Sequence, residues 1–321
     1  MSAISSSTST SDPSTTNVTS ESFAKIFVAD SGEHKIFFAD LRDELSFKPI
    51  PSTWHPEFLA YDSTRKKLYW NDFTAKQIYR ADVNGLNREV VTFASNEAPA
   101  GVAIAEELGV LYIAYTLSNK ITSMSIKPDK TIPRDDPDFA TQGIKEPRAL
   151  QTDEEQGYIY MTMNGEVARK HLFLPQDALQ TIYKNIHLND LSGLSIDFTR
   201  NPRRIFFCSI TGGRVFYKDM STSPDKSIAT ELTYSGQSPY YGQLQSLSYI
   251  NGFLYWVTRQ NYTRSIGITT YYDNTNRSYV IKEVDKFMVP RDHLSGICHW
   301  RNKEMGTKRP LFYRPCLFLY S

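Results

Sequence analysis

The feature that most constrains this chain is a repeat. The stretch KIFVADSGEHKIFFADL, Lys25 to Leu41, aligns without a gap on Lys67 to Val83, and RIFFCSITGGRVFYKDM, Arg204 to Met220, repeats the same length and the same order of apolar and polar positions. Each copy reads as two short strands flanking a turn, because aromatic and β-branched residues suit a pleated, half-buried surface and the intervening Asp, Gly, Ser and Thr favour a tight turn. Self-similarity at a fixed period has to be settled before any other feature is read.

A strand opening on an aliphatic residue followed by an aromatic one recurs at Ile26-Phe27, Leu68-Tyr69, Leu111-Tyr112, Ile159-Tyr160, Ile205-Phe206 and Leu254-Tyr255, at spacings of 42 to 49 residues. That period fits a four-stranded propeller blade. A shorter apolar strand precedes all but the first, at Phe58, Gly101, Ala149, Gly193 and Ser246. The first copy lacks this inner strand, while HLSGICHWRN, His293 to Asn302, reads as an inner strand with nothing after it. Joining the two halves predicts an all-β, six-bladed propeller of four-stranded antiparallel blades. Its last blade is made from N-terminal strands plus a C-terminal inner strand. Closure also removes the free edges that an open array would present to other chains. The predicted organisation is a Ser/Thr-rich disordered leader at 1–22, one propeller at 23–302 and a tail at 303–321.

Composition narrows the function. A net charge of +1 across 321 residues lacks the basic excess expected of a nucleic-acid binder, and no apolar run is long enough to insert in a bilayer. Cys208, Cys298 and Cys316 form an odd, sparse set that implies no disulfide framework. The leader has no apolar stretch of the secretory kind, so the expectation is a cytoplasmic location if Met1 is the true start.

LYWND followed by IYRADVNG resembles the YWTD, or low-density-lipoprotein-receptor class B, repeat. Tyr69, Trp70 and Asp72 match its motif, Asn71 stands where the family has Thr, and Arg80 and Gly85 fall at later family positions. The other copies are eroded. The resemblance implies a six-bladed propeller and a protein-binding module of receptor ectodomains, hence an extracellular setting. The motif itself reads as structural: alternation puts Tyr69 and Trp70 on opposite faces of one strand, and Asp72 at its end is placed to accept N–H groups of a turn.

Function is expected where loops collect. Strands alternate in direction, so the loop entering each inner strand and the turn between second and third strands share one end of the ring. The candidates there for binding a protein or peptide are Trp54, His55, Glu57, Arg148, Tyr240, Tyr241, Arg259, Tyr262, Arg291 and His293. Large aromatics and arginine dominate interface energies. A lactonase-like hydrolase is the competing class, with Glu57, Asn189, Asp190 and Asp292 as weak oxygen ligands for a divalent ion. An intracellular scaffold using the same face is the third. The expectation is a monomeric, non-enzymatic module with no cofactor.

Overall fold

The computed structural model describes residues 25–31, 33–40, 47–51, 53–128, 137–174, 176–220, 226, 228–232, 243–250, 253–260, 263–270, 281–286 and 294–300, with side chains through residue 257. Strands β1 (Lys25–Asp30), β2 (Lys35–Asp40) and β3 (Lys48–Ile50) come first. Five sheets of consecutive strands follow. They are β4 (Pro56–Asp62), β5 (Lys67–Asp72), β6 (Gln77–Asp82) and β7 (Glu89–Val90); β8 (Gly101–Ala105), β9 (Val110–Tyr115), β10 (Lys120–Ser125) and β11 (Asp138–Ala140); β12 (Leu150–Asp153), β13 (Tyr158–Met163), β14 (Glu166–His171) and β15 (Gln180–Lys184); β16 (Leu191–Asp197), β17 (Arg204–Ser209), β18 (Arg214–Asp219) and β19 (Thr230–Glu231); and β20 (Gln243–Ile250), β21 (Phe253–Gln260), β22 (Thr263–Thr270) and β23 (Ile281–Lys286). The last strand, β24 (Leu294–Trp300), pairs antiparallel with β1, placing Ile297 opposite Val28 and Cys298 opposite Phe27, so its sheet runs β24-β1-β2-β3.

All six copies of the aliphatic–aromatic pair lie in the strand next to the innermost one. That position explains their composition, because such a strand is covered on both faces by neighbouring sheets. Tyr69 packs with Val102, Leu111 and Ile113 of the following sheet, whereas Trp70 packs with Phe27, Ala29, Ile36 and Ile50 of the preceding one. The same division recurs along the chain. Tyr160 and Val167 meet Ile205 and Phe207, and Phe206 and Cys208 meet Leu247 and Trp256. Tyr255 and Val257 meet Ile26 and Val28 at the return to the first sheet. The core is therefore a series of apolar slabs, one between each pair of adjacent sheets.

The innermost strands converge, β4 beside β8, β8 beside β12, β12 beside β16, β16 beside β20, and β24 beside both β20 and β4. Convergence leaves no room for side chains at some positions. A Cβ on Gly101 would lie 1.8 Å from the Arg148 carbonyl oxygen, and one on Gly193 would lie 3.0 Å from Leu247 N of the next sheet.

Polar groups stitch the sheets at both ends. At the end carrying the first-to-second turns, the Glu106 carboxylate accepts from Ser63 N, Ser63 Oγ and Thr64 Oγ1 of the preceding sheet (3.2, 2.5 and 3.3 Å). Glu154 Oε1 likewise accepts Glu107 N and Leu108 N (2.9 and 3.1 Å). Buried Arg203 reaches back to Asp153 (3.1 Å) and Glu155. At the opposite end the central stitch is Asn71. Its Oδ1 accepts Phe58 N (2.6 Å) and Glu57 N (3.2 Å), where β4 bulges between Pro56 and Leu59, and its Nδ2 donates to Pro99 O of the next sheet (2.7 Å).

Three backbone groups, one buried and two part-buried, thus depend on one side chain. Asn71→Ala is expected to lower stability by about 2–4 kcal/mol, read from the urea midpoint, because unpaired buried groups each cost roughly 1–3 kcal/mol. A loss below about 0.5 kcal/mol, the range of ordinary surface changes, would show that water replaces the amide without penalty.

Candidate functional site

Hydrogen bonds confirm that approach loops and second-to-third turns lie together at one end. Phe73 N donates to His55 O (3.2 Å), Asn164 N to Lys145 O (3.1 Å) and Ile210 N to Asp190 O (3.2 Å). Glu97 bridges the same two segments in its sheet, its carboxylate accepting Leu117 N (2.8 Å) and Ser118 N (2.9 Å). The turns are locked from within as well: Asp72 Oδ1 accepts Ala75 N (2.8 Å), Asp30 Oδ1 accepts Glu33 N (2.9 Å), and Ser209 Oγ accepts Gly212 N (3.2 Å) at the equivalent place. Tyr69, Trp70 and Asp72 are all buried. Asn71, the motif position read only as a departure from the family, carries the link between sheets.

Exposed apolar side chains occur around this rim, with Leu117 in the β9–β10 turn and Ile186 in the loop entering β16, but its exposed aromatic residues fall in one sector. Trp54 (62 % exposed) approaches β4, Phe73 (55 %) tops the β5–β6 turn and Phe93 (53 %) follows β7, so all three project from loops of one sheet. Among the described residues the remaining large exposed aromatic, Phe173, lies at the other end, in the β14–β15 connection. Trp54 is held in place: the Arg88 guanidinium lies 5.5 Å from its ring and 5.8 Å from that of Tyr79, which stacks on buried Trp70 at 5.9 Å. This ladder runs from core to surface and restricts the rotamer freedom of an exposed aromatic.

The other candidates are distributed unevenly. His55 sits in this sector with φ of 37°, its ring 3.9 Å from that of His34. Arg148 donates its backbone N–H to Thr162 O (2.9 Å), and its guanidinium stands 3.8 Å from Glu146 Oε2. Arg259 falls in β21 opposite Gln243 and Arg264. Tyr240, Tyr241, Tyr262, Arg291, Asp292 and His293 lie outside the described residues. The turn spacing places Phe73 on this face but does not mark it as an anchor, and Phe93 carries no signal at all; a lone Phe in a loop has no periodicity, and only exposure distinguishes it from a packing residue.

The weak oxygen-ligand set does not assemble among the described residues. No cluster of three or more His, Cys, Asp or Glu side chains occurs there. Asp190 is already committed, accepting Ser209 Oγ (2.7 Å) and Thr211 N. Burial pushes its carboxyl up, but these bonds outweigh burial and hold it below the usual range. Asn189 is exposed on the same loop. Glu57 behaves oppositely: burial lifts it to about 6, only partly opposed by a hydrogen bond from Asn71.

No known protein-family profile matches the chain. By sequence it is similar to Protein cueball of Drosophila yakuba, 30% identical over 99 residues, and of Drosophila ananassae, 31% over 87 residues. Those stretches cover 29% and 25% of this chain but only 14% of either relative. By structure it superposes on a chain of the nidogen/laminin complex with a TM-score of 0.69 and 16% identity, covering 86% of this chain and 98% of that one. The chain is a β-propeller. The likeness extends to the virginiamycin B lyase of Staphylococcus aureus, with a TM-score of 0.55 and 14% identity over 81% of this propeller and 80% of the lyase.

Glu57 gives a pH prediction for this propeller. A carboxyl raised in the folded state favours folding while protonated, so its contribution is intact below the ordinary value of 4.5 and is lost as pH rises through about 6. Between pH 4 and 7.5, Glu57→Gln should flatten the stability profile and gain about 1–2 kcal/mol over the wild type at pH 7.5. Identical profiles for the two proteins would place Glu57 in water.

Proposed function

We propose that this propeller is a six-bladed, non-enzymatic module of the YWTD class B type that binds a protein or peptide on its loop-rich end, centred on Trp54, Phe73 and Phe93. The carrying observation is that three large aromatic rings, each more than half exposed, project from loops of a single sheet whose turns are internally hydrogen-bonded. Aromatic anchors on a rigid frame supply contact area at small entropic cost. The continuous series of inner-strand neighbours and the β1–β24 pairing support the sixfold ring. The structural neighbour in the nidogen/laminin complex supports protein recognition, and the class B resemblance supports an extracellular setting. The commitment of Glu97 and Asp190 to backbone N–H groups favours binding over bond chemistry at this rim.

Selection of peptides from a displayed random library on the folded protein tests the reading. Selected peptides are expected to lose at least tenfold in affinity against Trp54→Ala, Phe73→Ala or Phe93→Ala, with Tm nearly unchanged, and to bind Phe173→Ala as they bind the wild type. Peptides that depend on Phe173, or a library that yields no saturable binder, would overturn it.

A further inference from the structure

Among the described residues, the rim carries a His34–His55 ring contact that neither packing nor the binding proposal requires. His34 belongs to the β1–β2 turn and His55 to the loop entering β4, so the pair joins two sheets. Their backbones are explained by the repeat. His34 (φ 56°) occupies the last turn position before a third strand, where Lys76 (54°), Asn119 (53°), Gly165 (68°) and Gly213 (55°) are equally left-handed. His55 shares its left-handed turn before proline with Glu146 (φ 46°). These two positions meet across neighbouring sheets elsewhere too, since Glu146 N donates to Asn119 Oδ1 at 2.7 Å. Where that junction uses one hydrogen bond, the first junction sets two imidazole rings 3.9 Å apart with their planes inclined by 56°.

We infer that His34 and His55 chelate a divalent transition-metal ion of the zinc type, clasping the first sheet to the second. Imidazole is the commonest protein ligand for such ions and neutral near physiological pH. With nitrogen–zinc bonds of about 2.0–2.1 Å, two rings on one tetrahedral ion have centroids roughly 5 Å apart. The rings therefore open by about 1 Å on binding, a motion available to His34, which is exposed. The neighbouring cation, Lys35, is paired, its Nζ lying 3.6 Å from Glu33 Oε2. His171, by contrast, is packed beside Tyr158 and Phe173, and its Nδ1 accepts Phe173 N at 3.1 Å. Water fills the other coordination positions, so the site is a weak clasp rather than a closed structural centre. Its geometric consequence is to tie the β1–β2 hairpin, whose sheet joins the two ends of the propeller, to the sheet bearing the aromatic rim.

The test is calorimetric titration of Zn²⁺ into the full chain without a histidine tag, alongside His34→Gln and His55→Gln, with Tm recorded with and without ion. One saturable equivalent that raises Tm, weakens at least tenfold in each variant and has no counterpart with Mg²⁺ or Ca²⁺ is the expected result. Both variants should match the wild-type Tm in the absence of zinc, which separates loss of the ion from loss of fold. No saturable binding by the wild type, binding retained in both variants, or dependence on only one of the two histidines would each overturn the inference.

Discussion

Everything in this molecule depends on burying both faces of every second strand. An isolated four-stranded sheet has two faces and one core cannot cover both, so each sheet needs a neighbour on either side. Arranging the sheets around an axis meets that need only if the large residues alternate, one toward each neighbour, as Tyr69 and Trp70 do. The cost falls on the innermost strands, which are crowded where the sheets converge. Gly101 and Gly193 stand where the backbone or a side chain of the next sheet approaches too closely for a Cβ.

Polar groups then decide which end is a frame and which can vary. At the first-to-second turns the links between sheets are carboxylates and one buried guanidinium, with Glu106, Glu154 and Arg203 each joining one sheet to another. Breaking a buried pair of the Arg203–Asp153 kind strands a charge, so this end resists substitution. At the other end the links are neutral amides, hydroxyls and backbone groups, such as Asn71 to Pro99 and Thr116 to Pro147 (2.8 Å). These hold the loop stems while leaving the tips to solvent. Loop tips on such a frame can change residue type without disturbing the core.

How much was legible in the sequence follows from the same physics. The aliphatic–aromatic pairs were readable because a strand buried on both faces tolerates few residue types, and each pair lands in the predicted strand. The outer strands were not. β7 and β19 are two residues long and half exposed, so no alternation is imposed on them. Asp72 was readable as a turn acceptor because its bond is local, to Ala75. Asn71 was not, because its partners Phe58 and Pro99 are 13 and 28 residues away and are set by the bulge and by the neighbouring sheet. The aromatic sector stayed hidden for a related reason: exposure is a property of packing around Phe73 and Phe93, and nothing in their flanking residues marks it.

The rim's chemistry is also uneven in a way that bears on recognition. Trp54 is not an isolated surface residue; Arg88 ties it to Tyr79 and thereby to Trp70 in the core. A change at buried Trp70 would therefore be felt at an exposed ring through three contacts, without altering any loop sequence. The coupling runs in both directions, since a partner that immobilises Trp54 also restrains the Arg88–Tyr79 contact and the slab beneath it. Binding energy gained at the rim would appear in part as added stability of the junction between the first and second sheets, because a ligand that prefers the folded state stabilises whatever its contacts require to be in place. That junction contains the strands β1, β2 and β3, so a partner bound at the proposed rim and the cohesion of the propeller would draw on the same contacts.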